Sequence, residues 1–232
     1  MIAVAFALPA ESSGFLRCLH NKTRSDRNGI TTISGEIDTR RIEVFHTGVG
    51  EKVCRQRMAS FLRDRQLECL ISAGFAGALD DRLQVGGLLL AKNFSTAELS
   101  EAHSSLSSLP IHIGDLFTTL SMIESREERN KIAQTTGAVA VDMETEFIAR
   151  ACAEHGIPLV SLRVITDTPS KHFPAPANVL FDMERQRINI TKLALYLLKN
   201  PSVIPRLMAF AKRVSIARRS LTDALEILLQ KS

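Results

Sequence analysis

Val141-Asp142-Met143-Glu144-Thr145 and, one helix later, Arg163-Val164-Ile165-Thr166-Asp167 decide how this chain of 232 residues reads. Each acidic group stands where an apolar run gives out: Asp142 and Glu144 after Ala138–Val141, Asp167 after Pro158–Ile165. In an α/β sheet, side chains just beyond the carboxyl ends of strands face the ligand crevice. Two strand ends joined by one crossover helix therefore aim several carboxylates at one place. That is the pattern of an active site.

The flanking sequence supplies the sheet. Ile2–Leu8 is short and continuously apolar, as suits a central strand buried on both faces. Pro9-Ala10-Glu11 opens a helical pattern, with Pro tolerated and an acid favoured in the first turn. Ile30–Ile37 and Arg41–His46 read as two strands around a turn. Gly48-Val49-Gly50 precedes a helix carrying Cys54, Met58, Phe61 and Leu62 at i, i+4, i+7 and i+8. Glu68–Ala73 predicts a strand ending in Gly74-Phe75-Ala76-Gly77-Ala78, and Val85–Ala91 another. Glu124–Gln134 reads as a helix and Ala138–Val141 as a strand. The next helix is expected to bury Phe147, Ile148, Ala151 and Cys152 before the strand Leu159–Ile165. Residues 179–198 are amphipathic, Asn200-Pro201 breaks the pattern, and a last helix runs from about Ile204 to Leu229. Residues 95–110 read as a loop. The alternation predicts an α/β fold: a mixed, largely parallel central sheet flanked by helices, with an added C-terminal amphipathic helix. One domain is expected over residues 1–200, and residues 201–232 form a basic helix belonging to that domain or to its dimer interface.

Composition narrows the class. Hydrophobic content of 45% and charged content of 23% are those of a soluble globular protein, with a formal charge of +4. The excess is uneven: Arg206, Lys212, Arg213, Arg218, Arg219 and Lys231 face only Asp223 and Glu226 in the last thirty residues. Such a tail meets nucleic acid, an anionic membrane surface, or water. Phe210 is its only aromatic, which argues against stacking on nucleic acid. The C-terminal stripe of Ile204, Leu207, Met208, Ala211, Val214, Leu221, Leu225 and Leu228 reads first as packing on the body or a second subunit, and second as an interfacial helix at a lipid surface. Cys18, Cys54, Cys69 and Cys152 lie far apart, with no C-x-x-C pair and no His at ligand spacing. They are expected to be reduced residues of a cytoplasmic protein with no metal site. Met1–Ala10 reads as a strand rather than a signal peptide, and no run reaches the ~18 apolar residues of a membrane span.

These residues, in this order, resemble the purine nucleoside phosphorylase/nucleosidase superfamily. The resemblance rests on Ala7-Leu8-Pro9-Ala10-Glu11, Gly48-Val49-Gly50, Ala73-Gly74-Phe75-Ala76-Gly77-Ala78-Leu79, Asp142-Met143-Glu144 and Thr166-Asp167, spread over roughly residues 1–170. Each is weak alone, whereas five in order are specific. Methylthioadenosine/S-adenosylhomocysteine nucleosidases are the nearest enzymatic relatives implied. The Leu-Pro-Ala-Glu opening, the Val-Asp-Met-Glu form, a shortened middle and a basic C-terminal helix resemble hopanoid-associated phosphorylases more closely. That resemblance implies removal of adenine from adenosylhopane, in hopanoid biosynthesis, by phosphorolysis or hydrolysis. Methylthioadenosine/S-adenosylhomocysteine nucleosidase and futalosine hydrolase are the alternatives, and a catalytically inactive nucleoside-binding module is the alternative outside the enzymes.

The roles implied follow the motifs. Asp167 would protonate the departing purine, which requires a raised pKa, and Thr166 would hold that carboxyl or the base. Glu144 would grip the ribose hydroxyls and favour positive charge on the sugar, with Met143 packed beneath. Glu11 would orient or deprotonate the attacking water, while Phe75, Ala76 and Gly77 line the site and Arg163 orders it or binds substrate. Gly48, Val49 and Gly50 are the candidate anion site should phosphate be the co-substrate. Phe94, Phe117 and Phe173 are candidates for the aromatic that stacks on the base, and His172, after Lys171 in a loop, is the one histidine singled out among those scattered along the chain. No cofactor is implied. A homodimer with peripheral contact at the inner membrane surface is implied as well. Plainer readings stand beside these: Asp167 as a turn cap, Glu11 answering a helix dipole, Met143 as core, and the glycines as ordinary turns.

Overall fold

A computed structural model describes residues 1–230 other than 98, 124, 172–173, 175–178, 180, 183–185 and 189. The chain begins with β1 (Ile2–Phe6), α1 (Pro9–Ser12), α2 (Phe15–Cys18), β2 (His20–Arg27), β3 (Ile30–Ile37), β4 (Arg40–His46) and α3 (Glu51–Leu62). Next come β5 (Cys69–Ala78), β6 (Leu88–Ala91), α4 (Leu99–Ser105), β7 (Ile111–Gly114), β8 (Leu116–Thr118), α5 (Arg126–Thr136) and β9 (Ala140–Asp142). It closes with α6 (Thr145–Glu154), β10 (Leu159–Asp167), the short β11 (Phe181–Asp182) and β12 (Arg187–Ile188), α7 (Ile190–Lys199) and the long α8 (Ile204–Gln230).

One ten-stranded sheet carries the order β2-β3-β4-β1-β5-β10-β6-β7, with β9 attached to β5 and β8 to β9. β4, β1, β5 and β10 run parallel at its centre; the pairs β2–β3, β3–β4, β5–β9 and β10–β6 are antiparallel. The α/β fold with a mixed, largely parallel sheet is thus as expected. Alternation along β1 shows how it is covered: Val4 and Phe6 enter one apolar cluster, and Ala3 and Ala5 enter another. The second cluster is closed by Cys54, Met58, Phe61 and Leu62 of α3 and by Phe147, Ile148 and Cys152 of α6. Ala151 is only partly buried. The first cluster is closed by Leu221, Leu225 and Leu228 of α8.

Several boundaries differ from the sequence reading, each for a physical reason. β2 is exposed along its whole length, so it has no apolar face for periodicity to detect; it exists through its ladder with β3. β5 does not end at Ala73 but continues through Gly74–Ala78, because β10 and β9 keep pairing with those glycine-rich residues on either side. The expected loop at 95–110 contains α4. The apolar stripe of the last helix is divided: Leu221, Leu225 and Leu228 are buried, whereas none of residues 204–216 is. The helix therefore enters the core at its C-terminal half and lies along the surface of the body at its N-terminal half, where Ile216 faces Gly86.

Truncation at the two halves should separate them. Leu225→Ala is expected to cost about 2–5 kcal/mol in denaturant unfolding, the range for emptying a well-packed core site. Met208→Ala is expected to stay within about 0.5 kcal/mol, as exposed positions do.

Candidate active site

β5, β9, β10 and the start of α6 are tied together by one buried guanidinium. Arg163, within β10, donates from Nε to Asp142 Oδ2 at 3.0 Å, from Nη1 to the carbonyls of Ser72 (2.7 Å) and Leu162 (2.9 Å), and from Nη2 to Ser72 Oγ (2.8 Å) and Thr145 Oγ1. All five of its N–H donors are thereby committed inside the protein. Asp142 in turn accepts from the Thr145 backbone N–H at 3.1 Å, from the Thr145 hydroxyl, and from Thr118 Oγ1 at 2.9 Å. Of the two roles expected for Arg163, the hydrogen bonds are those of ordering the site: it braces β5, β9, β10 and the start of α6. Asp142 is its counter-ion rather than a free site carboxylate.

Two carboxylates sit on that brace. Glu144 stands at the entry to α6 and accepts from the Gly50 N–H at 3.0 Å. Burial and the nearby Asp142 charge push its carboxyl up to about 8. Glu11, in α1, is held through both oxygens by the backbone N–H groups of Leu8 and Phe75, each at 2.9 Å. Burial outweighs those bonds and raises its pKa too. The two acids line one small pocket together with Gly74, Phe75, Ile148 and Arg163. A Cβ at Gly74 would lie 3.2 Å from Glu11 Oε1, so a glycine there lets the carboxylate lie against the strand. Met143 is half-buried beside them.

The donors of the candidate anion site are engaged within the protein. Gly48 and Gly50 do make the left-handed turn glycine permits, at φ +76° and +84°. Yet the Gly48 N–H donates to the Ala7 carbonyl at 3.1 Å, that of Val49 to Gln186 Oε1 at 2.6 Å, and that of Gly50 to Glu144. No donor of the turn is left for phosphate, and a carboxyl group already occupies it.

Asp167, the last residue of β10, lies at the other end of the site. Thr166 Oγ1 donates to its Oδ1 at 3.0 Å, and Arg129 Nη2 donates to its Oδ2 at 2.5 Å, with both ionic side chains only 3% exposed. Arg129 is fixed by a second bond, from Nη1 to the Ala78 carbonyl at 2.6 Å. Burial raises the Asp167 pKa, and the Arg129 charge offsets part of that rise. A Cβ on Gly77 would fall 2.9 Å from Asp167 Oδ2, so the carboxyl lies over a position that has to be glycine. Ala76 contributes a carbonyl, 3.4 Å from the Thr166 hydroxyl.

Register connects this end to an aromatic ring. Phe117 is paired with Val141, Val141 with Gly77, and Gly77 with Asp167. Val141 therefore stands between Phe117 and Gly77, and the space over Gly77 is taken by the Asp167 carboxyl and Arg129 Nη1, which a Cβ there would meet at 2.9 and 3.1 Å. Of the described residues, Phe117 is exposed and two strands from Gly77, while Phe94 packs against an apolar cluster. Phe173 and His172 lie outside them.

Sequence reasoning missed Arg129, Gln186 and Ser72. Arg129 sits in Arg126–Thr136, whose charged sequence reads as a solvated helix; only the tertiary fold buries it. Gln186 also accepts and donates across Val49, its Nε2 reaching the Val49 carbonyl at 3.0 Å.

Because Glu144 binds its proton more tightly folded than unfolded, its contribution to stability is present below about pH 4.5 and is lost as pH rises toward 8. Glu144→Gln keeps an acceptor for Gly50 and removes the titration. It is expected to flatten the fall in Tm between pH 5 and 8 and to raise Tm at pH 8 by several degrees, read by thermal unfolding across that range. An unchanged slope would count against the raised value.

Comparison with known proteins bears on this geometry. A family model described as "Phosphorylase superfamily" matches residues 94–199. The 5'-methylthioadenosine/S-adenosylhomocysteine nucleosidase of Staphylococcus aureus (strain JH9) is 24% identical over 163 residues, 58% of this chain and 72% of that protein. Among solved structures, futalosine hydrolase of Helicobacter pylori strain 26695 superposes with a TM-score of 0.76 at 16% identity, covering 100% of this chain and 97% of that one. The methylthioadenosine/S-adenosylhomocysteine nucleosidase of Neisseria meningitidis, in complex with methylthio-immucillin-A, superposes at 0.74 with 17% identity, covering 100% and 99%.

Proposed function

We propose that this chain, a phosphorylase-superfamily protein by sequence match and fold, is an enzyme that cleaves the N-glycosidic bond of a 5'-substituted adenosine and releases adenine. The observation that carries the reading is the convergence of Glu11 and Glu144 on one buried pocket, with Asp167 at the neighbouring strand end.

The residues divide the work. The base lies against Asp167 at the end of β10. As the bond to the sugar lengthens, Asp167 gives its proton to the purine, which leaves as a neutral base. The carboxylate so formed is stabilised by Arg129, a fixed cation already in contact with it. Glu144 holds the ribose hydroxyls and, when ionised, favours positive charge on the sugar. Water held by Glu11 attacks the anomeric carbon and passes its proton to that carboxylate. Water is favoured over phosphate because the Gly48–Gly50 amides are occupied and two acidic groups line the pocket.

For the 5'-substituent we put adenosylhopane first, on the resemblance to hopanoid-associated phosphorylases. Methylthioadenosine, S-adenosylhomocysteine and futalosine follow from the names of the relatives. Adenine release from adenosylhopane and from methylthioadenosine, each with and without phosphate, tests the reading. Phosphate-independent release is expected. Release from methylthioadenosine alone would remove the lipid substrate, and release from neither would favour futalosine or a nucleoside-binding module. Asp167→Asn is expected to lower kcat by about 10²–10⁴-fold with little change in KM, the loss typical of a general acid. A binding module would show unchanged affinity and no turnover to lose.

A further inference from the structure

Charge and exposed apolar surface coincide in one C-terminal segment, of which Gln186 and Arg213 also reach the site. Residues 185–222 hold nine of the chain's 29 Lys and Arg and none of its 25 Asp and Glu. The remaining basic residues are outnumbered by acids, so the chain is electrically two-ended. Of the eight large hydrophobic side chains exposed among the described residues, five fall in the same segment: Leu195, Leu198, Ile204, Met208 and Ile216. Leu198 is 79% exposed and Met208 69%. No residue from 192 to 216 is buried, although α7 and the first half of α8 are helical throughout that stretch apart from the Asn200–Val203 turn. Lys192, Lys199, Arg206 and Lys212 are exposed alongside the apolar residues.

We propose that the α7–α8 hairpin, residues 190–216, is an interfacial anchor for an anionic phospholipid surface. Aliphatic side chains enter the headgroup–acyl boundary while the lysines and arginines meet the lipid phosphates. A second copy of the chain fits less well, since a symmetric contact would set one acid-free basic segment against another. Nucleic acid fits less well, because the exposed apolar groups are aliphatic and offer no ring on which a base can stack. No helix among the described residues is long and apolar enough to cross a membrane, so the contact is peripheral. The inference is independent of the substrate and of the reaction proposed above.

Co-sedimentation of the full chain with vesicles tests it. Vesicles of phosphatidylcholine containing about 30% phosphatidylglycerol are expected to bind at least about tenfold more protein than phosphatidylcholine alone, and raised salt should weaken the binding. Leu198→Glu and Met208→Glu, each at an exposed position, should reduce it about tenfold with Tm and adenine release unchanged. Binding to neither vesicle, or variants that bind like the parent, would overturn the proposal. So would sedimentation velocity showing, without vesicles, a dimer that these two substitutions dissociate, or equal binding to a DNA duplex through the same residues.

Discussion

The buried pair of Arg163 and Asp142 is the constraint on which the site depends. Both side chains are 3% exposed or less, and desolvating two such charges is costly unless every donor and acceptor is matched. Here the matching is complete for the guanidinium, and its partners come from β5, β9, β10 and α6. Loss of either partner would strand a buried charge, at a cost of about 3–5 kcal/mol. The pair therefore acts as a register pin. It sets where β9 ends, where α6 begins, and so where Glu144 emerges.

From that pin the electrostatics of the pocket follow. Asp142 is neutralised by Arg163, but its field still reaches Glu144, and Glu11 adds to it. Two acids in one desolvated pocket do not readily both ionise, so a proton is held between the ribose side and the water side of the site. The same crowding of acidic groups disfavours an anionic nucleophile. At the base side the opposite arrangement holds: Arg129 offsets the burial of Asp167 and stabilises it once its proton has gone. Burial thus keeps a proton available on Asp167 while Arg129 steadies the carboxylate left behind, which suits a reaction that protonates the departing base as positive charge develops on the sugar.

The central strands and the acidic strand ends were legible because apolar runs and abrupt carboxylates are local features of sequence. β1, β10 and the pairing of Asp142-Met143-Glu144 with Thr166-Asp167 all belong to that class. β2 was not legible, because an edge strand without an apolar face leaves no periodic trace. Arg129 was hidden for a related reason: in Arg126-Glu127-Glu128-Arg129 one arginine faces solvent and another is buried, and residue type does not distinguish them. The glycine turn was misleading in a different way. Gly48-Val49-Gly50 does turn on two glycines at positive φ, but its donors are consumed by Ala7, Gln186 and Glu144, a distant set that no local motif reports.

The most direct measurement is a crystal structure of the Asp167→Asn protein with methylthioadenosine bound. The predicted result places the ribose hydroxyls on Glu144, a water on Glu11, and the purine against position 167. A nucleoside bound away from Glu144, or a phosphate seated on freed amides of Gly48–Gly50, would contradict it.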